Sequence, residues 1–193
     1  MTAGRTNINQ KSTSWCTPPK YVEALEKFFS AGIDLDPCSN KYSLVNSKVR
    51  YILPEDGLQK EWKFKTIFVN PPYGADKERG TTIKNWIAKC EEANRRYHAE
   101  VIALIPVATN TRHWKEYIFG KASGICFLYD TRLKFWINGQ CDDKGAPMSC
   151  AIVYWGKNVK KFIYIFSKFG AALDLTPSVG MSFGSENNQF KLL

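Results

Sequence analysis

Apolar residues recur along this chain at two periods. At helical spacing, Val22, Leu25 and Phe29 form one face, with Thr17 as an N-cap, Pro18 at the first helical position and Gly32 as the stop. Ile83, Trp86, Ile87, Cys90 and Ala93 form a second stripe, opened by Thr81 or Thr82. A short helix is predicted to open at 110–114, and a further run, with Phe162, Ile165, Phe166 and Phe169, ends at Gly170. Between them lie short apolar runs that read as strands: 33–37, 48–52, 66–69, 100–107, 124–129, 132–137 and 149–155. Residues 54–58 read as a turn and 138–147 as a hairpin loop. Strands alternating with helices predict an α/β sandwich with a mostly parallel sheet and an antiparallel edge hairpin. The expected organisation is a polar arm at 1–14, one domain at 15–175 and a disordered tail at 176–193.

The run at 66–69 ends abruptly in Asn70-Pro71-Pro72-Tyr73. Two prolines fix φ and donate no backbone hydrogen bond, so the chain must leave the sheet rigidly here. Asp36-Pro37 closes an earlier strand, and Pro106 with Thr109-Asn110-Thr111 closes a later one. If these strands are parallel neighbours, their polar ends face one crevice.

The composition narrows the classes. The chain has 193 residues, 44% of them hydrophobic and 14% aromatic, with a formal net charge of +9. A basic domain of this size suits a polyanionic partner, nucleic acid above all. The six cysteines are widely spaced without a Cys-x-x-Cys pair, and the histidines are His98 and His113 alone, so no metal site is expected. Neither a signal peptide nor an 18-residue apolar run is present, which predicts a cytoplasmic protein without membrane partners. Nothing in the sequence distinguishes monomer from dimer.

Asn70-Pro71-Pro72-Tyr73 is similar to the (Asp/Asn/Ser)-Pro-Pro-(Tyr/Phe/Trp) motif of S-adenosylmethionine-dependent amino methyltransferases. Trp15-x-Thr17-Pro18, Asp34-Leu35-Asp36-Pro37-Cys38, Asp56-Gly57-Leu58-x-x-x-Trp62, Leu104-Ile105-Pro106 and Thr131-Arg132-Leu133-x-Phe135 accompany it in order. Together they resemble the phage-encoded DNA adenine methyltransferases over residues 15 to about 155. The tetrapeptide alone would also admit methylation of an RNA base or a protein glutamine, and the charge alone a non-catalytic nucleic-acid-binding module. The resemblance implies a Rossmann-like methyltransferase fold, S-adenosylmethionine as cofactor and DNA as substrate. It further implies a catalytic set of Asn70, Pro71, Pro72 and Tyr73, and a cofactor set of Thr17, Pro18, Asp36, Pro37, Ser39 and Asp56.

These residue types suit the chemistry. The exocyclic amine of adenine is a poor nucleophile because its lone pair is delocalised into the ring. The Asn70 amide oxygen and the Pro71 carbonyl can accept its two hydrogens, and Tyr73 can stack on a base flipped out of the duplex. Phe135 or Trp136 could form the other wall, with a plain core role as the alternative for each. Lys77 and Arg79 on the loop at 75–80, Arg112, Arg132, and Lys144 on the loop at 138–147 are the candidate DNA contacts, with solvated surface charge as the alternative. So small a reader predicts a short or relaxed recognition site. Two features depart from the usual methyltransferase pattern. Cys38-Ser39-Asn40 stands where a glycine-rich loop is common, and no acidic residue on the second strand is an obvious ribose ligand. Asp34 could face the cofactor or cap a turn, and the structural role is the favoured reading.

Overall fold

Glu100–Pro106 is the spine of the molecule, a strand whose apolar residues alternate between two cores. Val101, Ala103 and Ile105 enter one cluster, while Ile102 and Leu104 enter the other. An unbroken apolar run is what a strand covered on both faces requires. The computed structural model describes residues 15–130, 133–137, 140–141 and 148–177. The arm at 1–14 and the tail beyond 177 lie outside the described residues.

The elements are β1 (Trp15–Cys16), α1 (Pro19–Phe28), β2 (Ile33–Ser39), β3 (Ser47–Ile52), β4 (Thr66–Val69), α2 (Ile83–Tyr97), β5 (Glu100–Pro106), α3 (Arg112–Tyr117), β6 (Gly124–Leu128), β7 (Trp136–Ile137), β8 (Gln140–Cys141), β9 (Cys150–Trp155), α4 (Val159–Phe166) and β10 (Gly170–Asp174). Seven strands form the main sheet in the order β10-β6-β9-β5-β4-β2-β3. β3, β2, β4 and β5 are parallel neighbours, and β9 and β10 run against them. β1, β7 and β8 form a separate three-stranded sheet. Phe28, Phe162 and Phe166, from α1 and α4, pack on one face of the main sheet. Trp86, Ile87 and Trp114, from α2 and α3, pack on the other.

The expected α/β sandwich is present, but its antiparallel part differs from the edge hairpin expected. β9 inserts between β5 and β6, and the edge is β10, a strand that the small residues of Gly170-Ala171-Ala172 did not advertise. Nor does the strand expected at 132–137 join the main sheet. Among its described residues, 133–137, only Trp136–Ile137 is a strand, and it pairs with β1 and β8. β2 does not stop at Pro37 but continues to Ser39. Its register with β3 shifts between Asp36 and Ser39, and that irregularity accommodates a residue with no N–H to give the ladder.

The short span from Asp36 to Asn70 also has a structural reason. Parallel strands usually need a helical crossover. Here residues 40–46 carry the chain from β2 to β3 without one, and residues 53–65 return it to β4 through a single 3-10 turn, Gly57–Gln59. Trp62, 1% exposed, donates from Nε1 to the Gly57 carbonyl at 2.9 Å and packs on Trp86 of α2. Asp34 ties the same strands at their other end, pairing with Lys48 at 2.7 Å and accepting from the Thr66 N–H at 3.2 Å.

Phe162 is fully buried and stacks on Tyr154 at 5.3 Å. Phe162→Ala is predicted to cost about 3–5 kcal/mol, read as a lowered urea midpoint.

Candidate active site

The last pairing between β4 and β5 is Val69 with Ala103, and Pro71 and Pro72 then forbid any further ladder on this strand. β5 continues past that point. Tyr73 turns back into the notch, where its hydroxyl donates to the Leu104 carbonyl at 3.2 Å. Trp15 and Phe135 stack on each other at 4.7 Å, and each stands near-perpendicular to the Tyr73 ring at 5.7 Å. Tyr73 is 8% exposed and Phe135 1%, so the accessible part of this aromatic group is the half-buried Trp15. Burial pushes the Tyr73 phenol well above its ordinary range, which suits a packed hydrogen-bond donor rather than a base.

Asn70 stands at the corner itself. Its side-chain amide nitrogen donates to Thr17 Oγ1 at 3.2 Å, and its backbone N–H faces the Cys38 thiol. Among the described residues nothing donates to its Oδ1. Thr17 therefore does not cap α1 as expected. The N-cap is Pro18, helix α1 begins at Pro19, and the buried Thr17 hydroxyl is turned to the strand ends instead. β1 holds the segment there by pairing with β7, and the Cys16 thiol donates to Asn40 Oδ1 at 3.3 Å.

Beside this strap lies Asp36, 4% exposed, accepting from the Cys38 N–H at 3.3 Å. Burial pushes its carboxyl up to about 6, against the opposing pull of Ser39, the Cys38 N–H and Arg50. A small polar cleft runs between Thr17, Asp36, Ser39 and Asn70. A less polar cleft, lined by Tyr51, Leu53, Glu55 and Pro72, adjoins it through Cys38 and Ser39. Trp15 Nε1, buried beside the first cleft, has no hydrogen-bond partner among the described residues. A more capacious cleft between residues 59–62 and α2 is remote from the strand ends, and its Glu92 is paired with Lys89 and Arg96.

The structure thus brings Thr17, Pro37, Asp36, Ser39 and Asn70 around two adjoining clefts, and Pro18 follows Thr17 at the start of α1. Asp56 sits behind them. Its carboxylate accepts the Leu58 N–H at 3.0 Å, capping the 3-10 turn, and lies 3.8 Å from Arg79. Arg79 is bound to Asp76 at 2.6 Å and forms part of the cleft wall, while Lys77 on the same loop is exposed. Arg112 pairs with Glu116. Trp136 is half-buried in β7, and Arg132 and Lys144 lie outside the described residues. Glu55 escaped notice because Pro54-Glu55-Asp56-Gly57 reads as a plain turn. Trp15 opens the Trp15-x-Thr17-Pro18 run but received no role in sequence, because its contacts with Tyr73 and Phe135 come from distant segments. Among the described residues no cluster of metal-binding side chains occurs, and no helix is long and apolar enough to cross a membrane.

A seven-stranded mixed sheet, with a rigid Asn-Pro-Pro exit beside a buried carboxylate at the ends of its parallel strands, is consistent with a methyltransferase fold. The family model for DNA N-6-adenine-methyltransferase (Dam) matches residues 5–176. The chain belongs to that family, and membership makes it an adenine-specific DNA methyltransferase. No curated protein matches it.

The raised carboxyl of Asp36 sets a pH dependence. Between its ordinary 3.8 and about 6 the folded protein keeps a proton that the unfolded chain has lost. Stability from this group therefore falls as pH rises through that window and is level above it. Urea unfolding across this range should show that slope in the unaltered chain and its loss in Asp36→Asn.

Proposed function

We propose that the chain transfers a methyl group from S-adenosylmethionine to the N6 amine of an adenine flipped out of DNA, with Asn70 and Pro71 as the amine-accepting corner. The observation that carries this reading is the Asn70 amide at the rigid exit of β4, its nitrogen engaged by Thr17 and its oxygen left to accept. S-adenosylmethionine supplies an electrophilic methyl on a sulfonium. The clefts suit it: Asp36 and Ser39, with the Thr17-Pro18 turn, would hold the charged amino-acid end, and Tyr51 and Leu53 beside Pro37 would hold the adenine. Glu55, on the second cleft, is our candidate for the ribose hydroxyls. Asp56 acts behind this wall through the 3-10 turn and Arg79.

Asn70 Oδ1 and the Pro71 carbonyl accept the two amine hydrogens and turn the nitrogen lone pair toward the methyl group. As the N–C bond forms and the S–C bond breaks, the cofactor would leave as a neutral thioether, and the alkylated amine, made strongly acidic by its positive charge, would give its extra proton to water, so no side-chain base is needed at the corner. Trp15, backed by the buried Tyr73 and Phe135, would give the base an apolar wall. Lys77, with Arg112 and Arg132, would meet phosphates, where contacts fix register without reading sequence. The reaction belongs in the cytoplasm, where DNA and reduced thiols coexist.

The test is transfer of labelled methyl to unmethylated DNA, with RNA and protein as parallel acceptors. Label on DNA adenine alone supports the reading, and label confined to RNA or protein refutes it. Asn70→Ala is predicted to lower kcat by about a hundredfold or more with cofactor affinity retained. Glu55→Gln should instead weaken cofactor binding, measured by calorimetry, with a smaller change in kcat.

A further inference from the structure

We infer that Arg79 is a cofactor-binding residue whose guanidinium lies flat against the adenine of S-adenosylmethionine; the inference rests on the methyl-transfer reading above. In sequence Arg79 shares a charged loop with Lys77 and Glu78, where a phosphate contact is the obvious role. Its surroundings differ from theirs. Lys77 and Glu78 are exposed, whereas Arg79 is half-buried and lines the less polar cleft.

The sheet order places that cleft. β2 lies between β3 and β4, and Pro37, Cys38 and Ser39 at its end form the floor. Tyr51 and Leu53 stand on the β3 side, and Arg79 arrives on the loop that follows β4. A flat ring entering between them meets apolar side chains on one side and the guanidinium on the other. Leu53 is 51% exposed there, apolar surface that a purine would cover.

What Arg79 can offer a ligand is set by its own partners. A guanidinium donates only in its plane, along its edge. Nε and Nη2 both reach Asp76 Oδ2, at 2.7 and 2.6 Å, and Nη1 lies 3.8 Å from Asp56 Oδ1. Both carboxylates are anchored in turn. Asp76 exchanges backbone bonds with Thr81 at 2.8 and 3.0 Å, and Asp56 accepts the Leu58 N–H at 3.0 Å. With so much of its edge turned to these acids, the surface Arg79 keeps for the cleft is its flat face, and such a face stacks on an aromatic ring. The pairing also settles the charge. A bare cation in this wall would repel a sulfonium, and one balanced by two carboxylates does not.

Calorimetry without DNA tests the inference with two probes: S-adenosylmethionine, and methylthioadenosine, which keeps the nucleoside and lacks the amino-acid end. Arg79→Met should weaken both by about tenfold, the scale of a desolvated cation–aromatic contact. Arg79→Lys keeps the charge and can pair with Asp76 but has no flat face, and should stay within about twofold of the Met variant. Affinity for duplex DNA without cofactor, read by fluorescence anisotropy, should change by less than about twofold in both, since no phosphate contact is lost. Unchanged cofactor affinity in Arg79→Met, a loss that methylthioadenosine does not share, full recovery in Arg79→Lys, or a loss of DNA affinity as large as that of cofactor would overturn the inference. If the unaltered chain binds both probes but transfers no methyl group to DNA, the functional reading fails and the variants still decide the role of Arg79. If it binds neither probe, both readings fall.

Discussion

The constraint on which this structure depends is the absence of two backbone donors. β4 cannot extend past Val69 because Pro71 and Pro72 have no N–H to offer the ladder. β5 does extend, pairing with β9 as far as Pro106 and Cys150. The mismatch in length opens a notch at the carboxyl end of the parallel strands. Tyr73 closes its floor by taking the Leu104 carbonyl, and Trp15 and Phe135 close its side. Asn70 is left at the rim on a fixed backbone, with its side-chain amide against Thr17. The corner is thus positioned by covalent geometry more than by packing, which is the kind of rigidity a reaction governed by in-line alignment requires.

That origin explains what was legible. Proline acts locally, so the exit at Asn70 could be read without neighbours, and the order of strand-ending motifs placed Asp36 beside it. The helical stripes were equally plain because Trp86, Ile87, Cys90 and Ala93 must share a face to be buried. What stayed hidden depended on partners distant in sequence. β1, β7 and β8 are two residues each, too short for any periodicity, and exist because they pair. Thr17 before Pro18 has the local chemistry of a cap, and only an amide from fifty-three positions away redirects it. Arg79 looks like a free cation in sequence, but Asp76 and Asp56 fold it back into the wall.

The helix-free crossover at 40–46 also has a functional side. A helix after β2 would occupy sheet-covering space beside Ser39. Its absence lets the 3-10 turn at Gly57–Gln59 close directly on the end of β2. A Cβ on Gly57 would lie 2.0 Å from the Pro37 carbonyl, so only glycine permits that approach. Gly57 and Pro37 together wall the second cleft, and Ser39 lines both clefts.

The electrostatics of the corner follow from the same close packing. Burial raises the acids around Asn70 together: Cys16, Cys38 and Tyr73 move up, Cys150 to about 11 and Asp36 to about 6. The thiols and the phenol are thereby kept neutral, so none competes with the substrate amine as a nucleophile. Asp36 is different in kind, because its raised value still leaves it ionised at neutral pH, as a carboxylate whose burial is incompletely compensated. A cation brought into the adjoining cleft would relieve that penalty, and its attraction is strengthened by the low polarity that created the penalty. Binding a positively charged cofactor and settling the folded sheet are then two aspects of one charge. The strand end that is least comfortable in the free protein is the one a sulfonium or ammonium group would stabilise most.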